Sequence, residues 1–271
     1  MPHLPPQPPQ QPDPPRGLPE PGFPPEEYAQ RLAGTREAMA RDGLDLLLVT
    51  APEDIHYHCG LNHQGHFAVT AGARENAVAA AVHDAMFRAG GDLPGFAPLV
   101  RSTDRLDQEH LTWTRREFGP RDGVFLELSA AYGRYHAPLA RLHHLDPRDA
   151  ARHRPAAEAS QEAMRALCAA LRPDRTAEQV FGAWRAVVEE AIGRPYRRHH
   201  CGYLVGIGFP PSWMGGTRTL RPGNPLRLRA GMTFHVQSWL LDERLGTYAC
   251  SDTALVAEDG CEVLTRTPYP Q

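Results

Sequence analysis

The order of hydrophobic periods along the chain limits its fold more than any single motif. "GVFLELSAAYGRYHAPLAR", residues 123 to 141, reads as two strands with Gly133 near the turn between them. A long helical region follows, roughly residues 147 to 193, broken at Pro173. Its second part begins at Thr176 and Glu178, close to the pattern of an N-cap and an acidic first turn. From about residue 199 the sequence returns to strands and Gly/Pro turns: "YLVGIGFPP", "MTFHVQSWLL" and "SDTALVAEDGCEVLT". A doubly wound parallel sheet needs strand and helix in strict alternation. Hairpins on both sides of a helical block predict an α+β fold.

The segments before this block divide by composition. Residues 1 to 25, "MPHLPPQPPQQPDPPRGLPEPGFPP", are too proline-rich for helix or central strand and predict a disordered, partly polyproline II tail that folding does not need. Residues 26 to 43 predict an amphipathic helix, with Glu26 and Glu27 in the first turn and Gly43 after the last. "LDLLLVT" reads as a short buried strand, "ARENAVAAAVHDAMFRAGG" as a helix closed by Gly90 and Gly91, and "APLVRS" as a strand.

Composition excludes several functions. The formal net charge is −3 and no basic stripe stands out, which argues against a nucleic-acid partner. All 29 basic residues are arginine, which we read as coding bias rather than chemistry. No apolar run reaches membrane-spanning length, and no signal-peptide pattern opens the sequence. Five scattered cysteines, with no CxxC pair, fit reduced thiols and a cytoplasmic setting better than a disulfide framework or structural zinc. Cys201 reads as a buried structural thiol rather than a nucleophile. His56, His58, His63 and His66 crowd one loop at spacings of 2, 5 and 3, without the cysteine pair that would argue for a transition metal.

Five segments together carry a family resemblance: "GLDLLLVTAPEDIHYHCGL", "GVFLELSAAYGRYHAPLAR", "HCGYLVGIGFPPSW", "LRAGMTFHVQSW" and "TYACSDTALVAEDGCEVLT". They resemble the pita-bread superfamily of prolidase, aminopeptidase P, methionine aminopeptidase, creatinase and ectoine hydrolase, with the pattern nearest the ectoine hydrolase branch. The resemblance implies a tail over 1–25, a remnant of the small creatinase-type N-terminal domain over 26–70, and a catalytic-type domain over 71–271. Most of the small domain and the first catalytic-domain helix are expected to be absent. A homodimer is the expected assembly.

Metal-dependent members of this family surround two cations with two aspartates, a histidine and two glutamates. Carried over residue by residue, those positions fall on Glu127, Pro138, Tyr203, Gln237 and Ser251. One carboxylate, an amide, a phenol and a hydroxyl are a poor cage for a hard cation pair. The expectation is no metal and no other cofactor. Creatinase-type members work without a required metal, using a histidine to move protons. That position falls on His110 in "DRLDQEHLTW", with Glu127 to orient it and stabilise the imidazolium. The alternative reading of His110 is a surface histidine.

Strand alternation places Thr233, His235 and Gln237 on one face, with Phe234 and Val236 on the other. Tyr203, His235, Gln237 and Ser251 are therefore expected to line a substrate pocket, although His235 reads equally well as a core histidine bonded to a neighbour. Asp252 should face away from Ser251 and play a structural part. The function expected is hydrolysis of a C–N bond in a small polar molecule. The rival is a binding or scaffold protein that has kept the fold and lost the chemistry. A metal-dependent Xaa-Pro peptidase would need the absent ligands.

Overall fold

The computed structural model describes residues 71–270, together with Gln30, Ala33, Gly34, Glu37, Ala38 and Arg41, which are helical. The strand expected in "LDLLLVT", the histidine-rich loop and the proline-rich tail lie outside the described residues.

Three helices and eight strands make up the body. In chain order they are α1 (Glu75–Arg88), β1 (Leu99–Ser102), β2 (Gly123–Tyr132), β3 (Tyr135–His144), α2 (Pro147–Ala170), α3 (Ala177–Ile192), β4 (Gly202–Phe209), β5 (Ser212–Thr219), β6 (Thr233–Asp242), β7 (Gly246–Val256) and β8 (Cys261–Val263). The expected α+β arrangement is the one observed. The β2–β3 turn is built on Gly133 and Arg134, both at positive φ. The break near Pro173 is real, and α3 restarts with a capping box in which Thr176 accepts from the Gln179 backbone while the Gln179 side chain accepts from the Thr176 backbone. Asp146 caps α2 by accepting from the Arg148 N–H at 2.8 Å, with Pro147 in the first turn. Among the described residues, no helix is long and apolar enough to cross a membrane.

All strand pairings are antiparallel, in the order β1-β2-β3-β4-β6-β7-β8, with β5 paired to β4. A further pairing of β3 with β7 closes β3, β4, β6 and β7 into a ring. One face of the sheet is covered by helices. Val100, Val124 and Leu126 pack with Val78 and Ala79 of α1. Phe234, Val236 and Leu240 share a core with Trp184, Val180 and Leu167 of α2 and α3. Ser238 on this face bonds the Ser160 hydroxyl at 2.8 Å and the Trp184 indole N–H at 3.0 Å, which ties both helices to β6.

The same alternation aims the other set of side chains at the opposite, inner face. Register makes that set specific. Glu127 pairs with Ala140, Ala140 with Ser251, and Ser251 with Gln237, a single row crossing β2, β3, β7 and β6. Tyr203 pairs with His235 across β4 and β6. Closing the ring makes these inner side chains converge. Asp252 points the other way, as its alternation requires. It forms a buried ion pair with Arg141 at 2.7 Å and accepts from the hydroxyls of Thr265 and Tyr269.

Candidate active site

The four polar side chains expected to line a pocket, Tyr203, His235, Gln237 and Ser251, are joined by hydrogen bonds. The His235 Nδ1 lies 2.7 Å from the Tyr203 hydroxyl and 3.1 Å from the Gln237 amide nitrogen, and its Nε2 lies 2.6 Å from the Ser251 hydroxyl. The direction follows from the outermost donor. The Trp213 indole has only an N–H to give, and it gives it to the Tyr203 oxygen at 2.9 Å. Tyr203 then donates its own proton to His235 Nδ1, which leaves the His235 Nε2–H to donate to Ser251. This assignment requires a neutral imidazole. Burial enforces it, depressing the His235 pKa to about 3 and holding the Tyr203 hydroxyl well above its usual value. All of these groups are buried.

Pro138 shares the inner face but brings no side-chain donor or acceptor. Its carbonyl accepts from the Thr253 hydroxyl at 2.8 Å. The residues present do not fit a two-metal cage. The row holds one carboxylate, and the phenol and hydroxyl at two further positions are engaged with His235. Among the described residues, no three His, Cys, Asp or Glu side chains stand close enough to share an ion.

Glu127 is different in kind. It is only 5% exposed, and among the described residues no hydrogen bond or ion pair reaches its carboxyl. Desolvation pushes its pKa up to about 7, against the pull of the Arg101 and Arg198 guanidinium groups. Glu127 therefore exchanges a proton near neutrality. Raising an acid's pKa stabilises the fold at low pH, and that stability is lost as pH rises from about 4.5 through about 7. A neutral isostere should remove the effect. Glu127→Gln is expected to match the wild-type melting temperature near pH 5 and to exceed it by roughly 5–10 °C at pH 8, on the order of 2–3 kcal/mol. Parallel melting curves for the two proteins across that pH range would contradict the assignment.

His110 sits on an exposed turn, its ring stacked against Phe96 with centroids 6.4 Å apart. No hydrogen bond joins it to Glu127 in the described structure. Near both is a set of charges that the sequence reading overlooked. Arg101 on β1 is fully buried, and Glu127 is the strongest opposing charge acting on it. Its guanidinium lies 4.8 Å from the Phe125 ring and 5.7 Å from that of Trp239. Arg198 lies 4.9 Å from the same Trp239 and pairs with Glu109, the residue before His110. Beside them, Glu109, Arg198, His199, Arg185 and Arg197 line an open cleft of about 480 Å³. The lone arginine in the otherwise apolar or small "LVRS" was the available signal: a charged side chain on a buried strand needs a partner.

Known proteins bear on this geometry. Residues 55–258 match the metallopeptidase family M24. The chain is 34% identical over 182 residues to ectoine hydrolase of Halomonas elongata, covering 66% of this chain and 44% of that protein. It is 26% identical over 200 residues to the Xaa-Pro dipeptidase of Pyrococcus furiosus, covering 73% of this chain and 56% of the relative. Among solved structures, prolidase from Pyrococcus furiosus superimposes with a TM-score of 0.65 at 24% identity, over 74% of this chain and 58% of the other. The X-Pro aminopeptidase from Thermotoga maritima does so with a TM-score of 0.64 at 18% identity, over 90% and 60%. The chain spans about half the length of the curated relatives it matches. With the sheet and its helical cover in place, the chain belongs to metallopeptidase family M24 and has the family's pita-bread fold.

Proposed function

We propose that this protein hydrolyses a C–N bond of a small polar molecule, of amide, amidine or guanidine type, without a metal ion. The observation that carries the reading is the buried Glu127 carboxyl, which no hydrogen bond or ion pair reaches among the described residues. Burial pushes its pKa up to about 7, and it shares its face with Tyr203, Gln237 and Ser251 rather than a second acid. Proton transfer at neutral pH is available there, and divalent-ion chemistry lacks its ligands. Similarity to a protein named ectoine hydrolase supports the same class of bond.

In this reading His110 acts as general base and then general acid. Glu127 orients it, directly or through the attacking water, and its negative form stabilises the imidazolium. The open cleft beside Glu109 gives a substrate access to the His110 turn. Tyr203, His235, Gln237 and Ser251 line the inner wall. They act as a fixed neutral network centred on His235, with Gln237 and Ser251 each joined to it by one side-chain bond. The protein works as a homodimer.

The rival reading, a binding protein without catalysis, draws on the mutual satisfaction of that network, which has already spent the polar atoms a substrate would need. A crystal soaked with small amides, guanidines and cyclic amidines separates the two. Catalysis requires a ligand within hydrogen-bond distance of Glu127 and in reach of His110. A ligand held only in the outer cleft would favour binding alone.

A separate expectation concerns metal content. Purified protein should contain well under one Mn, Co or Zn per chain, for want of ligands. Elemental analysis showing about two per chain, bound through a dialysis step, would overturn the metal-independent reading.

A further inference from the structure

We propose that Arg101 is a positioning residue that holds the turn carrying His110 against the strand carrying Glu127. The inference rests on the reading of His110 and Glu127 as the working pair.

The geometry is direct. Arg101 Nη1 donates to the Glu109 carbonyl at 3.0 Å and to the Leu111 carbonyl at 2.9 Å. These are the two carbonyls that flank His110, so one guanidinium nitrogen grips the turn on both sides of the imidazole. On β1, Arg101 pairs with Phe125, and Leu99, two residues before it, pairs with Glu127. Arg101 and Glu127 therefore share the inner face, one diagonal step apart.

The base of the loop is fixed separately. The buried Glu75 accepts from the Ser102 N–H at 3.3 Å on one side, and from the Thr114 N–H at 2.8 Å and its hydroxyl at 2.7 Å on the other. Glu75 closes the loop, and Arg101 sets the height of its tip. A packing role alone would be filled better by an apolar side chain, since burying a guanidinium is costly and Arg101 Nε and Nη2 have no hydrogen-bond partner among the described residues. A charge kept there at that cost, near both the His110 turn and the Glu127 carboxyl, is explained by what it holds.

The test uses the full chain with Arg101→Met, which keeps the bulk between Phe125 and Trp239, and Arg101→Lys, which keeps the charge. The Leu111 amide, bonded to the Gln108 carbonyl at 3.0 Å, reports the turn by hydrogen exchange. The Gln237 amide, bonded to the Cys201 carbonyl at 2.8 Å, reports the sheet. In Arg101→Met, Leu111 should exchange about 10-fold faster or more while Gln237 holds its protection. On any substrate turned over, kcat should fall about 10-fold or more, with KM within about 3-fold, because a displaced base costs chemistry rather than binding.

Arg101→Lys, able to reach one carbonyl, should recover part of both losses and settle about 3-fold from wild type. If the Met variant does not fold, the Lys variant decides alone. Wild-type exchange at Leu111 together with wild-type kcat in a folded variant would overturn the proposal. So would a kcat loss that follows Gln237 exchange and that lysine does not repair. If no C–N substrate is found, the functional reading fails while the exchange result still stands or falls by itself.

Discussion

His110→Ala lowers kcat/KM by about 10²- to 10⁴-fold on whichever small C–N substrate is turned over, the usual worth of a placed proton-transfer group. The fold should be untouched, because the ring is exposed and its aromatic contact among the described residues is a stack on Phe96 with centroids 6.4 Å apart. Glu127→Gln costs less. The amide still accepts a hydrogen bond but offers no charge to the imidazolium. Because the two act as a unit, the double variant should be scarcely slower than His110→Ala. Additive losses in the double-mutant cycle would assign them independent tasks. A fully active His110→Ala enzyme would remove His110 from the mechanism and move attention to His235, which would first have to release its bonds to Tyr203 and Ser251.

A second large effect is expected in acid. Burial depresses the pKa of His235 to about 3, and that of His200, which is partly buried, to about 3 as well. Their unfolded forms take up protons near 6.5. Stability from these groups is therefore complete above that value and is lost as pH falls from 6.5 towards 3. Each such histidine removes about 1.4 kcal/mol per pH unit at most. Glu127 works in the opposite sense over the upper part of the range and cancels about one of them. Partly buried His144, held at about 4, adds to the loss. The net expectation is roughly 4–5 kcal/mol lost between pH 6.5 and 4.5, a large share of the 5–15 kcal/mol typical of a domain. Urea unfolding at stepped pH measures it directly. In Glu127→Gln the acid slope should steepen by about 1.4 kcal/mol per pH unit, because the opposing group is gone. A flat profile would mean that His235 already carries a proton in the fold, and the direction assigned to the hydrogen-bond chain would be wrong.

The parts of this molecule legible in the sequence are those governed by local periodicity. Alternation along "MTFHVQSWLL" separates the His235 and Gln237 face from Phe234 and Val236, and the structure keeps that division because β6 has helices on one side only. The opposed direction of Asp252 follows in the same way, from its place beside Ser251. The N-cap at Thr176 was readable because a cap is a local interaction, although the reciprocal bond from Gln179 was not picked out.

Long-range features escaped. Closure of the ring by β3 and β7 rests on one register contact, Ala140 with Ser251, and no local pattern encodes it. Nor does spacing reveal that Arg101, Glu109 and Arg198 gather near both the His110 turn and Glu127, because these five residues lie on three segments up to 97 positions apart and come together through β1–β2 pairing and the loop before β4. Trp213, which sets the direction of the Tyr203–His235 chain, is legible only once β5 is seen beside β4.

The most direct test of the account is turnover by protein stripped of divalent ions. The protein is dialysed against chelator until elemental analysis finds less than about 0.1 metal per chain, then assayed against small amides, guanidines and cyclic amidines with chelator still present. The account predicts a kcat equal to that of untreated protein, and no gain on adding Mn, Co or Zn. Activity that disappears on stripping and returns with about two ions per chain would contradict it.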